Sequence, residues 1–146
     1  MPVIVASHAG FCMGVQQAIE QALQAANQAE EQGLQCYSLG ELIHNPAAVS
    51  ALEARGIRAV QHPEEARDGL LILRSHGVSP DVEEKARQIA TQVVDCTCPF
   101  VRHLHGAVRD FSAQGAPVIL IGDAGHPEVI GTAGWCKGRV WVISTP

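Results

Sequence analysis

The residues of this chain that could ligate a metal or bind an anion recur in short segments that also contain glycine or proline. Five such segments contain Cys12, His44, His76, Cys98 and His126, and the segment of Cys98 also contains Cys96. Each segment follows a β-rich run and precedes a stretch with helical spacing, so we predict that all five are strand-to-helix loops. In open parallel sheets, ligands bind beyond the carboxyl ends of the strands, where such loops gather. The sequence therefore predicts that the five residues form a single site at one edge of a parallel α/β sheet.

Cys12 and Cys98 both stand where a helix is predicted to begin, and Pro99 is well suited to the first helical position. Amides at a helix start stabilise a thiolate, the form of cysteine that binds metal, although a buried structural role is the alternative for each. Cys96 lies two residues before Cys98, and we expect it to be structural. The spacing matches neither zinc-finger pairs nor the ferredoxin run, and it leaves zinc and an iron–sulfur cluster both open.

Three histidines, His44, His76 and His126, suit an anion such as a diphosphate, because imidazole N–H groups can donate hydrogen bonds to it. Each could alternatively be a capping or surface residue. Glu128 lies near the start of the next predicted helix, where a carboxylate is also favoured by the helix dipole. Its functional interpretation is proton delivery to a reacting atom.

Other polar residues have simpler interpretations. We expect His103 and His105 to form a polar face of a helix, and His62 to be solvated in a loop. Asn45, followed by Pro46, is predicted to cap a helix.

The remaining pattern alternates strands and helices, which is typical of an α/β fold with mainly parallel sheets and flanking helices. Helices are predicted at about 15–31, 47–54 and 100–113, with a further helix opening at Ser79 and Pro80. The predicted strands are Val3–Ala6, Cys36–Leu39, Ile57–Val60, Leu70–Leu73, Gln92–Val94, Pro117–Ile121 and Arg139–Ile143. Leu70–Leu73 consists of four aliphatic residues, as expected of a strand buried on both faces.

Composition narrows the class of protein. The formal net charge is −5 and no run of Lys or Arg occurs, which disfavours nucleic acid and anionic membranes as partners. The N-terminus has no signal-peptide pattern and the apolar runs are too short to span a bilayer, so we expect a cytoplasmic protein. Five cysteines, an odd number, then favour metal or redox chemistry over disulfides.

Five segments, in their order along the chain, resemble motifs of the LytB/IspH family, the 4-hydroxy-3-methylbut-2-enyl diphosphate reductases of the non-mevalonate isoprenoid pathway. The segments are Gly10–Val15, Leu42–Pro46, Ser75–Val78, Asp95–Pro99 and Gly125–Val129. The resemblance runs from residue 3 to the end of the chain. It implies the first domain (1–98) and part of the second (99–146) of a trefoil-like arrangement of three α/β domains.

The resemblance also implies roles for individual residues. Cys12 and Cys98 match two of the three cysteines that hold a [4Fe–4S] cluster, and His44, His76 and His126 match the histidines that bind the diphosphate. Glu128 matches the acid that supplies protons, and His126 is expected to assist it. The implied reaction removes the allylic hydroxyl reductively to give isopentenyl and dimethylallyl diphosphates, with electrons from a ferredoxin or flavodoxin.

The resemblance is incomplete, since the family's third cluster cysteine and several substrate-contacting residues lie downstream of this sequence. Cys136 precedes a strand instead of following one and is no substitute by motif. We therefore expect a truncated reductase that is inactive alone, or a short relative that gains ligands by dimerising. The alternative from another class is a non-catalytic zinc- or anion-binding module that retains the motifs.

Overall fold

The computed structural model describes residues 2–7 and 9–144, which form α/β layers. Helices are α1 (Met13–Glu31), α2 (Pro46–Glu53), α3 (Pro80–Ile89), α4 (Pro99–Ala113) and α5 (Pro127–Gly134), with a short 3₁₀ helix at Pro63–Ala66. Strands are β1 (Cys36–Leu39), β2 (Ile57–Val60), β3 (Leu70–Leu73), β4 (Gln92–Asp95), β5 (Val118–Ile121) and β6 (Val140–Ile143).

The strands form two parallel sheets. The first has the order β2-β1-β3-β4, with Cys36 in register with both Ile57 and Leu70. The second pairs β5 with β6, Val118 lying opposite Val140. The predicted α/β class with parallel sheets and flanking helices is confirmed. The expectation of a single sheet edge for all five candidate residues is wrong, because His126 follows a strand of the second sheet.

The predicted strand Val3–Ala6 is also wrong. These residues pair with no strand in the described part of the chain, and Val3 and Ile4 are about nine-tenths exposed (89% and 90%). Apolar β-branched residues favour extended backbone, but a strand also needs a partner for its N–H and C=O groups. Cys12 therefore follows an unpaired extended segment.

The core lies on both faces of β3, which is buried at every position. One face, with Leu70 and Ile72, packs under α1. The helix presents alanines to it at helical spacing, namely Ala18, Ala22, Ala25 and Ala29. The other face, with Leu71 and Leu73, packs with Ala86 of α3. Small alanine side chains let α1 lie close to the sheet, and this packing fixes the position of the strands that lead to the candidate residues.

The helix starts follow local chemistry. Asn45 caps α2 by accepting a hydrogen bond from the Ala48 amide on its side-chain oxygen (3.0 Å), as the sequence predicts. Cys12, Cys98 and His126 are the N-cap residues of α1, α4 and α5. Three candidate residues are thus fixed relative to helix N-termini. None of the helices in the described part of the chain combines the length and apolar character needed to cross a membrane.

The fully buried Ile72 is expected to carry much of the core's stability. We predict that Ile72→Ala lowers the free energy of unfolding by about 2–5 kcal/mol, because it leaves a cavity against α1. Ile121→Ala is the matched control, since Ile121 is 76% exposed on β5 and its truncation should change stability little. Urea denaturation followed by circular dichroism measures both. Equal effects of the two substitutions would contradict the assignment of the core.

Candidate functional site

Three of the predicted residues converge. The ring centroids of His44 and His76 lie 4.3 Å apart, and His126 lies 5.5 Å from His44 and 5.7 Å from His76. His44 is exposed, whereas His76 and His126 are half-buried. The loops after β1, β3 and β5 therefore bring three imidazoles into one cluster, here called the histidine cluster.

Hydrogen bonds of Ser75 connect the loop after β3 with the loop after β1 and with the loop after β4. The Ser75 hydroxyl and amide both donate to the carbonyl oxygen of Leu42, at 2.8 and 3.2 Å, in the segment that precedes His44. The Ser75 carbonyl accepts a hydrogen bond from the Cys98 amide at 3.0 Å. Ser75 is buried, so these bonds are shielded from water. Sequence reasoning missed this residue, and only its position between β3 and His76 marks it.

Helix α5 brings His126 to the other two histidines. A methyl group added at Gly131 would lie 3.3 Å from the Gly77 carbonyl oxygen, so the helix packs directly on the segment after His76. A methyl group added at Gly134 would lie closer still to the Cβ atom of Ser79. The indole N–H of Trp135, just past the helix, donates to the Val78 carbonyl oxygen at 2.9 Å. Glycine at these contacts lets the two backbones approach.

His105 is buried rather than part of a polar face, so that prediction is wrong. The residue is 4% exposed, stacks on Trp135 with ring centroids 5.4 Å apart, and adjoins Gly77. Its position on α4 shares a helix face with the buried Val101 and Val108, which places the imidazole inside. Burial lowers the pKa of His105. His103 is exposed, as expected.

His76 is the histidine with the most perturbed acidity. Burial lowers its pKa to about 4, and the positive charges that His44 and Arg74 can carry act in the same direction. The imidazole is therefore neutral at pH 7 and can donate one N–H. Its buried Nδ1 has no hydrogen-bond partner among the described residues.

His126 has a defined tautomer. Its Nδ1 accepts a hydrogen bond from the Glu128 amide at 3.2 Å, which leaves Nε2 as the protonated nitrogen of the neutral ring. Glu128 itself is half-buried in the first turn of α5. The bond from the Glu128 amide thus orients the His126 ring, with Nε2 as its donor.

Both candidate cysteines lie near the first turn of α1. Cys12 is the N-cap residue of that helix, and a methyl group added at Gly14 would lie 2.5 Å from the Cys98 sulfur. Glycine at position 14 therefore leaves room for the Cys98 thiol.

The other cysteines lie apart from this pair. Cys96 and Cys36 are both buried in the core. Burial raises the pKa of the Cys36 thiol to about 11 and that of Cys96 to about 12, so both stay protonated. Cys136 is half-buried beside the Arg139 carbonyl. Across residues 2–7 and 9–144, no three His, Cys, Asp or Glu side chains come together as a metal site.

Comparison with protein families gives one match over nearly the whole chain. The family described as LytB protein matches residues 3–146. The chain is 43% identical to the 4-hydroxy-3-methylbut-2-enyl diphosphate reductase of Citrifermentans bemidjiense (strain ATCC BAA-1014 / DSM 16622 / JCM 12645 / Bem), and 41% identical to that of Aquifex aeolicus (strain VF5). These alignments cover 99% and 98% of the chain but 50% of each relative. The chain thus spans about half the length of the curated relatives it matches.

Solved structures agree with the sequence comparison. A structure of (E)-4-hydroxy-3-methyl-but-2-enyl diphosphate reductase, described as the terminal enzyme of the non-mevalonate pathway, superposes with a TM-score of 0.83 at 38% identity. The superposition covers 98% of this chain and 51% of that one. The Plasmodium falciparum E-1-hydroxy-2-methyl-but-2-enyl-4-diphosphate reductase gives a TM-score of 0.87 at 29% identity, covering 95% of this chain and 43% of that one.

The low pKa of His76 makes stability depend on pH. Below its ordinary pKa of 6.5, the unfolded chain binds a proton that the folded chain excludes until about pH 4. We therefore expect the free energy of unfolding to fall as the pH drops from 6.5 to 4, and His76→Asn to lose this part of the dependence. Urea denaturation at several pH values measures it, with His103→Asn as the exposed control. An NMR titration midpoint for His76 near 6.5 would contradict the prediction.

Proposed function

The chain belongs to the LytB family, and from that membership we propose that it forms the N-terminal half of a 4-hydroxy-3-methylbut-2-enyl diphosphate reductase. The observation that carries the proposal is the convergence of three imidazoles from three separate loops within 5.7 Å of one another. We also propose a division into a first α/β domain (1–98) and part of a second (99–146). The proposed location is cytoplasmic.

The histidine cluster is the proposed site for the substrate's diphosphate. A neutral His76 and the Nε2–H of His126 would donate hydrogen bonds to phosphate oxygens, and His44 would close the exposed side. Helices α2 and α5 begin next to His44 and His126, so their N-terminal amides add positive potential. These groups offset the unfavourable net charge of −5 without a cluster of lysines.

Cys12 and Cys98 are the proposed protein ligands to two irons of a [4Fe–4S] cluster. Their fit rests on the N-cap positions of the two cysteines and on the packing of the Cys98 sulfur against Gly14, in the first turn of the helix that Cys12 precedes. When bound, the cluster would supply electrons and a Lewis-acidic iron, recharged by a ferredoxin or flavodoxin. Because Cys36 and Cys96 are buried with raised pKa values, the third thiolate is proposed to come from the other half of the reductase.

Glu128 is the proposed proton donor, with His126 assisting. The reaction consumes two electrons and two protons, breaks the allylic C–O bond and releases water, which gives isopentenyl and dimethylallyl diphosphates. The hydrogen bond from the Glu128 amide to His126 fixes the backbone of Glu128 next to one of the proposed diphosphate donors. We propose that its carboxyl group reaches a substrate anchored at the histidine cluster.

Pyrophosphate is the probe for the proposed diphosphate site. We expect pyrophosphate to bind the 146-residue chain. His76→Gln should weaken this binding about tenfold, because the amide N–H of Gln cannot occupy the position of the imidazole N–H in the half-buried centre of the cluster. Isothermal titration calorimetry measures the affinity. His103→Gln, on the exposed side of α4, is the matched control and should bind as the unaltered chain does. Equal affinities for both variants would contradict the site.

Metal analysis separates the reductase from the alternative zinc or structural module. After anaerobic purification we expect iron together with acid-labile sulfide. The amounts of both should be smaller in Cys12→Ser and Cys98→Ser and unchanged in Cys136→Ser. Zinc without sulfide would exclude the cluster. Substrate-dependent oxidation of reduced viologen by the isolated chain should be little or none, because the third thiolate is not among its candidate ligands. Substantial turnover would show that the other half is not needed.

A further inference from the structure

A cavity whose lining includes none of the three clustered histidines is bounded by the end of β1, the 3₁₀ helix, α3 and α5. Its volume is about 280 Å³. The ionisable side chains that line it, among the described residues, are His62, Arg74 and Lys85, and all three are basic. A purely basic lining is unexpected in a chain with a net charge of −5. Lys85 pairs with Glu64 at the edge of this cavity, which leaves Arg74 as the permanent positive charge of the lining without an ion pair among the described residues.

Arg74 is the unusual member of this set. It is half-buried, its Nε is buried without a hydrogen-bond partner, and no carboxylate among the described residues forms an ion pair with it. Burial lowers its pKa. By contrast, Lys85 pairs with Glu64, and Arg109 pairs with Asp110 at 2.8 Å. A desolvated cation without a partner is unfavourable, and an anion in the cavity would offset that cost.

The backbone around Arg74 leaves room for its guanidinium group. Gly40 has a φ of +74°, and a side chain there would collide with Nη1 of Arg74. Two features of the structure at position 40, the positive φ and the close approach of Arg74, thus require glycine. The side chain of Arg74 forms part of the cavity wall.

The remaining lining indicates what else the ligand contains. Ser79 is the N-cap residue of α3, but its side chain makes no capping hydrogen bond. Its hydroxyl is therefore available to an anion at the start of that ten-residue helix. The rest of the wall is mainly aliphatic and proline, namely Leu39, Pro63, Val78, Val82, Pro127 and Ile130. One end of the ligand would therefore be anionic and the other short and apolar.

We propose that this cavity binds a small phosphate monoester with a short aliphatic group, and that Arg74 is its principal ligand, with Lys85, His62 and Ser79 around it. The phosphate oxygens match the fork of guanidinium donors. The site contains none of the three clustered histidines. Its test can therefore succeed or fail whatever the test of the proposed function gives.

The test uses n-butyl phosphate, inorganic phosphate and pyrophosphate as probes, titrated calorimetrically into the 146-residue chain at fixed ionic strength. We expect butyl phosphate to bind more tightly than inorganic phosphate, because of the apolar wall. Arg74→Gln should weaken butyl phosphate at least tenfold, Arg74→Lys less, and Arg109→Gln not at all. His76→Gln should weaken pyrophosphate and leave butyl phosphate unchanged.

A second variant guards against loss of folding. Val82→Glu places a carboxylate at the partly exposed cavity wall and should abolish binding of butyl phosphate while Arg74 is retained. Circular dichroism checks that each variant is folded. The proposal is overturned if butyl phosphate does not bind saturably, or if it binds Arg74→Gln or Val82→Glu as well as the unaltered chain. It is also overturned if Arg74→Gln weakens only pyrophosphate, since Arg74 would then serve the histidine cluster.

Discussion

The arrangement of the site depends on the buried hydrogen bonds of Ser75. Through its hydroxyl and amide this residue holds the loop of His44, and through its carbonyl it holds the start of α4 at Cys98. The imidazoles and the thiols belong to different proposed tasks, yet they share this one anchor. Because the bonds are buried, a change in any of the three loops would leave a polar group unsatisfied and disturb the others.

The second constraint is the close packing of α5 on the segment after His76. Gly131 allows helix and loop backbones to touch, and Trp135 adds a hydrogen bond from the far end of the helix. His126 belongs to a different sheet from the other two histidines, so this contact is what completes the cluster. The tight packing also desolvates His76 and keeps it neutral, which makes it a hydrogen-bond donor rather than a titrating charge at pH 7.

Electrostatics in this chain are local rather than global. A net charge of −5 opposes anion binding, yet the histidine cluster and the cavity at Arg74 both present hydrogen-bond donors. Acidic residues lie beside both, since the Glu41 carboxylate is 3.7 Å from Nδ1 of His44 and Glu64 pairs with Lys85. Imidazoles and helix amides supply the donors of the histidine cluster. The guanidinium of Arg74, which forms no ion pair with the described residues, supplies those of the cavity.

Local sequence determined most of the elements and the identity of the candidate residues. The aliphatic run of β3, the Asn45 cap and the proline-led helix starts are short-range features, and their physics is contained in neighbouring residues. Tertiary structure alone decided the rest. Val3–Ala6 has the composition of a strand but pairs with no strand among residues 2–7 and 9–144, and His105 is polar but lies on the face of α4 that packs inward. The role of Ser75 depends on segments 33 and 23 residues away, and such distant contacts leave no periodic signal in the sequence.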